Sequence, residues 1–303
     1  MTQFTPRTFQ INDHVIGFYY GRGLTGFSGY EHITDNWVNK GAWDLGIANY
    51  VVYSGDSALV FDTSTSPECG LWLRNFLNRQ LKIKHITIAL SHWHLDHIAG
   101  LSAFRDCQIF ALDSTAALIE QNREAIENGN LWGPPGIPTV MPTHTFSNDL
   151  DVKIGDITIQ LRHYQIHSRD GLAMFILADQ AMYPGDMLED TLSYIVEPGD
   201  IPAHLSELSR LQQSASDRIF PSHGSLARLA DGGYNSSLIA AAIEYNQNML
   251  RQAQCANFTD MTIEDMLPQA LKTGAIAIWE NYRSVHRENL SRVYEYWYNR
   301  KIP

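Results

Sequence analysis

The run Ser91-His92-Trp93-His94-Leu95-Asp96-His97 places three imidazoles and a carboxylate in six consecutive positions. Imidazole nitrogen suits borderline ions such as Zn²⁺, and carboxylates offset ionic charge and tolerate bridging. His92 and His94, at alternating positions, project the same way from an extended turn, whereas Asp96 and His97 open the next helix and point to a neighbouring spot. Two adjacent metal ions fit that pattern. The ordinary alternative is a solvated histidine-rich loop, which rarely needs so many ligands so close together.

The surrounding elements explain how such a run would be held. VIGFYY (15–20), NYVVYS (49–54) and ALVFDT (58–63) read as strands, and Ser54-Gly55-Asp56 is a turn signal that joins the last two in a hairpin. Leu71, Leu73, Phe76 and Leu77 recur at helical spacing over 70–80, and HITIAL (85–90) is a buried-strand run. Strand, helix, strand implies a parallel crossover whose second strand delivers whatever follows Leu90 to the C-terminal edge of the sheet. The second half repeats the style. Paired strands are expected near 151–154 and 157–162, a hairpin near 172–184, a helix near 203–214 and a short strand at 218–220. Two β-rich halves with helices outside suggest an α/β, four-layered sandwich. Residues 129–145, rich in Gly and Pro, and the segment 21–48, with Trp37 and Trp43, read as irregular; long loops of this kind often serve as lids or binding walls. From Ser236 the pattern turns helical, so we expect a domain over 1–235 and a helical C-terminal extension over 236–303, as a lid or an oligomer surface.

H-x-H-x-D-H directly after a strand resembles the signature of the metallo-β-lactamase superfamily, and the remaining motifs of that family follow in order. Asp62 ends ALVFDT, His167 lies in QIHSRDG, Asp186 in MYPGD and His223 in IFPSHG. The resemblance covers roughly residues 15–225. It implies an αββα metallo-β-lactamase sandwich with the site in the groove at one edge between two sheets. It also implies that His92, His94 and His167 hold a first metal, that Asp96, His97 and His223 hold a second, and that Asp186 bridges them. The cofactors expected on this basis are two divalent ions, Zn²⁺ first and Fe or Mn after it. A metal-bridging hydroxide is then the nucleophile, Asp96 relays a proton to the leaving group, and Asp62 fixes an imidazole tautomer by accepting its free N–H. For Asp62 the plain alternative is a strand-end carboxylate capping the next turn. The reaction implied is hydrolysis of an ester, thioester or lactone. An iron-dependent sulfur dioxygenase-like oxidoreductase and a signalling protein that retains a metallohydrolase site are the competing readings.

Composition narrows the partners. Among 303 residues the formal net charge is −11, against the Lys/Arg excess by which general nucleic-acid binders neutralise phosphate. The opening MTQFTPRTFQINDH lacks a basic run followed by an apolar one, and no stretch approaches the roughly 20 apolar residues of a membrane span, so a cytoplasmic location is expected. A small-molecule substrate is expected, without nucleic acid or membrane, and a homodimer is left open. Cys69, Cys107 and Cys255 are odd in number and far apart, which suggests neither disulfides nor a zinc knuckle. His14, His32, His85, His144, His163, His204 and His286 match no ligand motif and read as surface or satisfied core residues. Trp93 and Trp132 are candidate pocket walls, and Tyr183 and Tyr194, flanking Asp186, offer hydroxyls that could polarise a carbonyl; core packing is at least as good a reading for both tryptophans.

Overall fold

Seven strands lie in sequence order in the first sheet: β1 (Arg7–Asn12), β2 (Val15–Tyr20), β3 (Ile47–Ser54), β4 (Ser57–Phe61), β5 (His85–Ala89), β6 (Gln108–Leu112) and β7 (His144–Phe146). The computed structural model describes residues 6–22, 29–214, 216–255 and 257–298. β1 to β4 pair antiparallel, and β4 to β7 pair in parallel. Ser54 stands opposite Ser57, so the β3–β4 hairpin closes in two residues, and Gly55 supplies the positive φ (60°) that so tight a turn requires. The switch to parallel pairing is made by α1 (Pro67–Arg79), which crosses from β4 to β5. Its start is written in the sequence: the Ser66 hydroxyl accepts from the Cys69 N–H at 3.1 Å, and Pro67 fills the first turn, where no N–H is missed. Leu73 and Leu77 bury its inner face.

The chain divides into two compact units, one of residues 1–163 with 172–177 and the other of 164–171 with 178–303. Besides the first sheet, the first unit holds α2 (Leu95–Ile98), α3 (Asp113–Glu127) and the antiparallel run β8 (Asp149–Ile154), β9 (Ile157–His163) and β10 (Leu172–Ile176). β8 lies against β3 and β4, so within this unit one sheet covers the other. Gly100 has no room for a side chain: a Cβ there would stand 1.9 Å from the Thr63 carbonyl oxygen and 2.9 Å from Gly70 Cα, which lets α1 close onto the segment after α2.

In the second unit β11 (Ala181–Tyr183) pairs in parallel with β12 (Arg218–Ile219), and the rest is helical: α4 (Ile201–Gln213), α5 (Leu226–Ala230), α6 (Ser237–Gln252), α7 (Ile263–Met266), α8 (Pro268–Thr273) and α9 (Tyr282–Trp297). α6 is the hub and packs on α4, α7, α8 and α9. Caps stop the short helices from fraying: Thr262 and Asp265 form a capping box at α7, and the Glu244 carboxylate accepts from the N–H groups of Gln269 and Ala270 at the start of α8.

Mixed sheets, helices and a helical C-terminal region give the α/β class expected. One expectation needs correction. Residues 21–48 are not irregular throughout: Val38–Trp43 form a π-helical turn that buries Val38, Ala42 and Trp43, while 23–28 lie outside the described residues. Among the described residues no helix is long and apolar enough to cross a membrane.

Candidate metal centre

In the first unit the ligand run is set by its neighbours in the sheet. Where β4 ends, Asp62 turns into the left-handed region (φ 64°), which Asp tolerates better than most residues. Its side chain then reaches the segment leaving β5. Asp62 Oδ1 accepts from the Ser91 N–H at 2.7 Å, and Oδ2 lies 2.8 Å from His97 Nδ1. Thr63 completes the grip, because its N–H and its hydroxyl both donate to the His97 carbonyl, at 2.8 and 3.0 Å. A carboxylate only accepts, so His97 carries its proton on Nδ1 and keeps the Nε2 lone pair for another partner. That Nε2 lies 3.6 Å from Asp96 Oδ1. His94 is extended (φ −63°, ψ 150°) immediately before α2, whose single turn carries Asp96 and His97. The rings of His92 and His94 have centroids 4.4 Å apart, and those of His92 and His97 4.3 Å.

The second unit builds its part on different elements. Ser168 N–H bonds the Ile166 carbonyl at 2.7 Å, forcing a tight reversal in which His167 also takes φ 64°. His167 Nδ1 lies 3.1 Å from the Tyr194 carbonyl oxygen. This oxygen too only accepts, so the proton again sits on Nδ1 and Nε2 presents a lone pair. Parallel strands end side by side, and β11 and β12 use this to bring Asp186 and His223 together: Ser222 N–H bonds the Gly185 carbonyl at 3.1 Å, and Asp186 Oδ2 lies 3.4 Å from His223 Nε2 and 3.8 Å from His167 Nε2.

Side chains able to hold a metal ion gather in each unit: His92, His94, Asp96 and His97 in the first, and His167, Asp186 and His223 in the second. All seven residues are buried. Five imidazoles and two carboxylates are a nitrogen-rich, oxygen-assisted set with no thiolate, which fits a divalent first-row ion and does not fit an iron–sulfur cluster or an alkali ion.

The sequence profile of the metallo-β-lactamase superfamily matches residues 43–223, more than half of the chain. This chain belongs to the metallo-β-lactamase superfamily. It is 23% identical over 193 residues to a β-lactamase-like protein 2 homolog of Drosophila melanogaster, covering 60% of this chain and 59% of that one. To an atrochrysone carboxyl ACP thioesterase of Aspergillus aculeatus it is 24% identical over 221 residues, 72% of this chain and 61% of the other. The match therefore spans about three fifths of the length of these curated relatives. Among solved structures, a metallo-β-lactamase from Pontibacter korlensis superposes with a TM-score of 0.60 at 18% identity, over 80% of this chain and 100% of that one. The fold is accordingly that of the metallo-β-lactamases, with a helical C-terminal region.

Other residues singled out in the sequence fall into place around these groups. Trp132 lies edge-on to His94, with ring centroids 5.0 Å apart, and to Trp37 at 6.3 Å, yet it remains 39% exposed; Trp93 is 5.4 Å from His94. Trp37 fixes the loop that carries Trp132 by donating from Nε1 to the Pro135 carbonyl at 3.0 Å. Tyr183 is fully buried and stacks on Phe220 at 5.3 Å, and burial pushes its hydroxyl well above the usual phenol range. Tyr194 gives its hydroxyl to Glu288; burial first, then that carboxylate, holds its proton on. Neither phenol is therefore ready to ionise, and what Tyr194 offers His167 is its backbone carbonyl. Sequence reasoning had no signal for that group, because every residue carries one. It also passed over Ser91, whose hydroxyl lies 2.9 Å from His92 Nδ1 and 3.4 Å from His97 Nδ1. A cavity of about 20 Å³ lies beside His167 and His204, lined also by Ala241, Ala242 and Tyr245; it has room for about one water and is too small for a substrate.

Proposed function

We propose that this chain is a dinuclear metal-dependent hydrolase that cleaves an ester, thioester or lactone. The observation that supports the reading is the buried set of imidazoles and carboxylates in each unit, His92, His94, Asp96 and His97 in the first and His167, Asp186 and His223 in the second. In this proposal His92, His94 and His167 hold one divalent ion, Asp96, His97 and His223 hold the other, and Asp186 bridges them. When bound, the metal ions supply Lewis acidity and lower the pKa of water toward neutrality. Everything else falls to the protein. Asp62 and the Tyr194 carbonyl hold His97 and His167 with Nδ1 protonated, so each imidazole presents Nε2 in one orientation. Asp96, at 7% the most exposed of the seven, is the carboxylate with access to substrate and carries a proton from the attacking water to the leaving group. The thioester member of the substrate class draws support from the relative named as an ACP thioesterase.

Zn²⁺ is the first choice of ion, with a small-molecule substrate in the cytoplasm. The test is a panel of p-nitrophenyl esters, thioesters, lactones and phosphodiesters assayed with and without chelator, together with metal analysis. Turnover of an ester, thioester or lactone that chelator abolishes, at near two zinc ions per chain, is the expected result. Chelator-insensitive turnover, or a single iron with oxygen consumption, would overturn the proposal.

A further inference from the structure

The C-terminal helix α9 reaches the loop that follows Asp186 through one fully buried amide. Asn289 Oδ1 accepts from the Ile195 N–H at 2.8 Å, and its Nδ2 donates to the Ser193 carbonyl at 3.0 Å. These two bonds grip the peptide units on either side of Tyr194, the residue whose carbonyl holds His167 Nδ1. The second Nδ2 hydrogen goes to the Tyr245 hydroxyl on α6, at 3.1 Å.

The bonds beyond Asn289 have a fixed sense. His286 Nε2 lies 3.1 Å from the Met261 carbonyl oxygen, which only accepts, so the proton is on Nε2. His286 Nδ1 must then accept, and the Tyr245 hydroxyl, 2.9 Å away, donates to it. The Tyr245 oxygen thereby faces Asn289 as an acceptor, which commits the amide to point its NH₂ toward Tyr245 and Ser193 and its oxygen toward the Ile195 N–H. Burial is the largest influence on His286 and lowers its pKa, so the ring is neutral and the sense of the chain is kept at neutral pH. No member can reverse without stranding a buried donor or acceptor.

We propose that Asn289 is a positioning residue for metal binding: from α9 it clamps residues 193–195, and so sets the Tyr194 carbonyl that aims His167 Nε2. The inference rests on the metal-site reading above. It gives the C-terminal helices a duty beyond covering the core, because the Tyr194 carbonyl they hold in place is the partner of His167 Nδ1. Partners of ligating histidines alter metal affinity about 10–100-fold when lost, and Asn289 stands one bond further out, so a loss of about tenfold is expected.

The experiment uses the full chain loaded with Zn²⁺ or Co²⁺. Affinity is read by competition with a chromophoric chelator, and ligand geometry by the Co²⁺ absorption bands. Asn289→Ala should weaken binding of one ion about tenfold and change the Co²⁺ bands. Val293→Ala, a buried truncation on the same helix, should lower the melting temperature and leave both readouts alone. In a His167→Ala background Asn289→Ala should have no further effect, since its action runs through that ring. Should Asn289→Ala fail to fold, Tyr245→Phe, which removes only the hydroxyl, should shift affinity two- to threefold in the same direction. Unchanged affinity in Tyr245→Phe or in folded Asn289→Ala, or an undiminished effect of Asn289→Ala in the His167→Ala background, overturns the proposal. A wild-type chain that binds no metal would instead sink the proposed function.

Discussion

Replacing Asp62 by Asn tests the tautomer argument with little else disturbed. Asn, like Asp, tolerates the left-handed backbone found at position 62, so no new strain enters. The amide keeps one acceptor for the Ser91 N–H, now met at 2.7 Å, but its NH₂ must then face His97 Nδ1. In the metal-free protein His97 answers by moving its proton to Nε2, which keeps a hydrogen bond between the amide and Nδ1; the melting temperature should therefore fall less than in Asp62→Ala. With the proton on Nε2 the ring cannot ligate. Binding of the ion proposed to sit on His97 then requires the wrong tautomer or a donor–donor clash, a penalty on the order of 1.4–2.7 kcal/mol, or 10–100-fold in affinity. The assay is titration of apo-protein with Zn²⁺ against a competing chelator, resolving the two ions. Asp62→Ala makes the comparison: it also strands the buried Ser91 N–H, at about 1–3 kcal/mol, and leaves Ala in the left-handed region, at about 1–2 kcal/mol, so it should lose stability as well as affinity. Equal affinities of wild type and Asp62→Asn for both ions would refute the reasoning.

Asp186→Ala, by removing the carboxylate proposed to bridge the two ions, should cut bound metal to one ion or fewer per chain, as measured by elemental analysis after gel filtration; two retained ions would dismiss its bridging role. Gly100→Ala would drive a Cβ into the Thr63 carbonyl, and overpacking of this kind costs about 1–3 kcal/mol, so the urea midpoint should fall; an unmoved midpoint would contradict the contact. For pH dependence, burial, with His167 nearby, lowers the pKa of His204 from 6.5 to about 4. The fold holds this ring neutral while the unfolded chain takes up a proton below 6.5, so stability falls as pH drops from 6.5 through about 4, by about 3 kcal/mol in all. In metal-free protein, His204→Phe should flatten that part of the melting-temperature profile, and an unaltered slope would show that His204 does not supply it.

Much of this was legible because strand and ligand signals coincide. Residues 15–20, 49–54 and 85–90 alternate or run apolar, and the H-x-H-x-D-H motif begins three residues beyond the end of β5, where a parallel strand must deliver it. Other elements went unread although a signal existed: in α3, Thr115, Leu118, Ile119 and Ile126 bury one face at helical spacing, and Asn289 is an amide among the buried Tyr282, His286, Leu290 and Val293 of α9. A lone amide on an apolar face was the clue to a clamp. The π-helical turn at Val38–Trp43 had no periodic signal, since one inserted residue breaks the 3.6-residue repeat that marks a helix. Nor could any pattern announce the Tyr194 carbonyl. The eye goes to the phenol, which the structure gives to Glu288.

His97 and His167 reach the same state by different means, and the difference has chemical weight. Each is paired through Nδ1 with an oxygen that can only accept, and each pairing depends on a residue at φ 64°: Asp62 itself in one case, His167 itself in the other. A non-glycine residue held in that region carries strain of about 1–3 kcal/mol, which persists only where the surroundings over-determine it. They do so here. Asp62 and Thr63 make four hydrogen bonds to Ser91 and His97, while His167 sits between the Ile166–Ser168 reversal and a carbonyl whose neighbouring peptides are gripped by α9. An anionic partner raises the basicity of an imidazole more than a peptide carbonyl does, so His97 is the stronger electron donor of the two. His97 and His167 are thus made unequal by groups outside them, and ions bound through them in the proposed centre would differ in Lewis acidity.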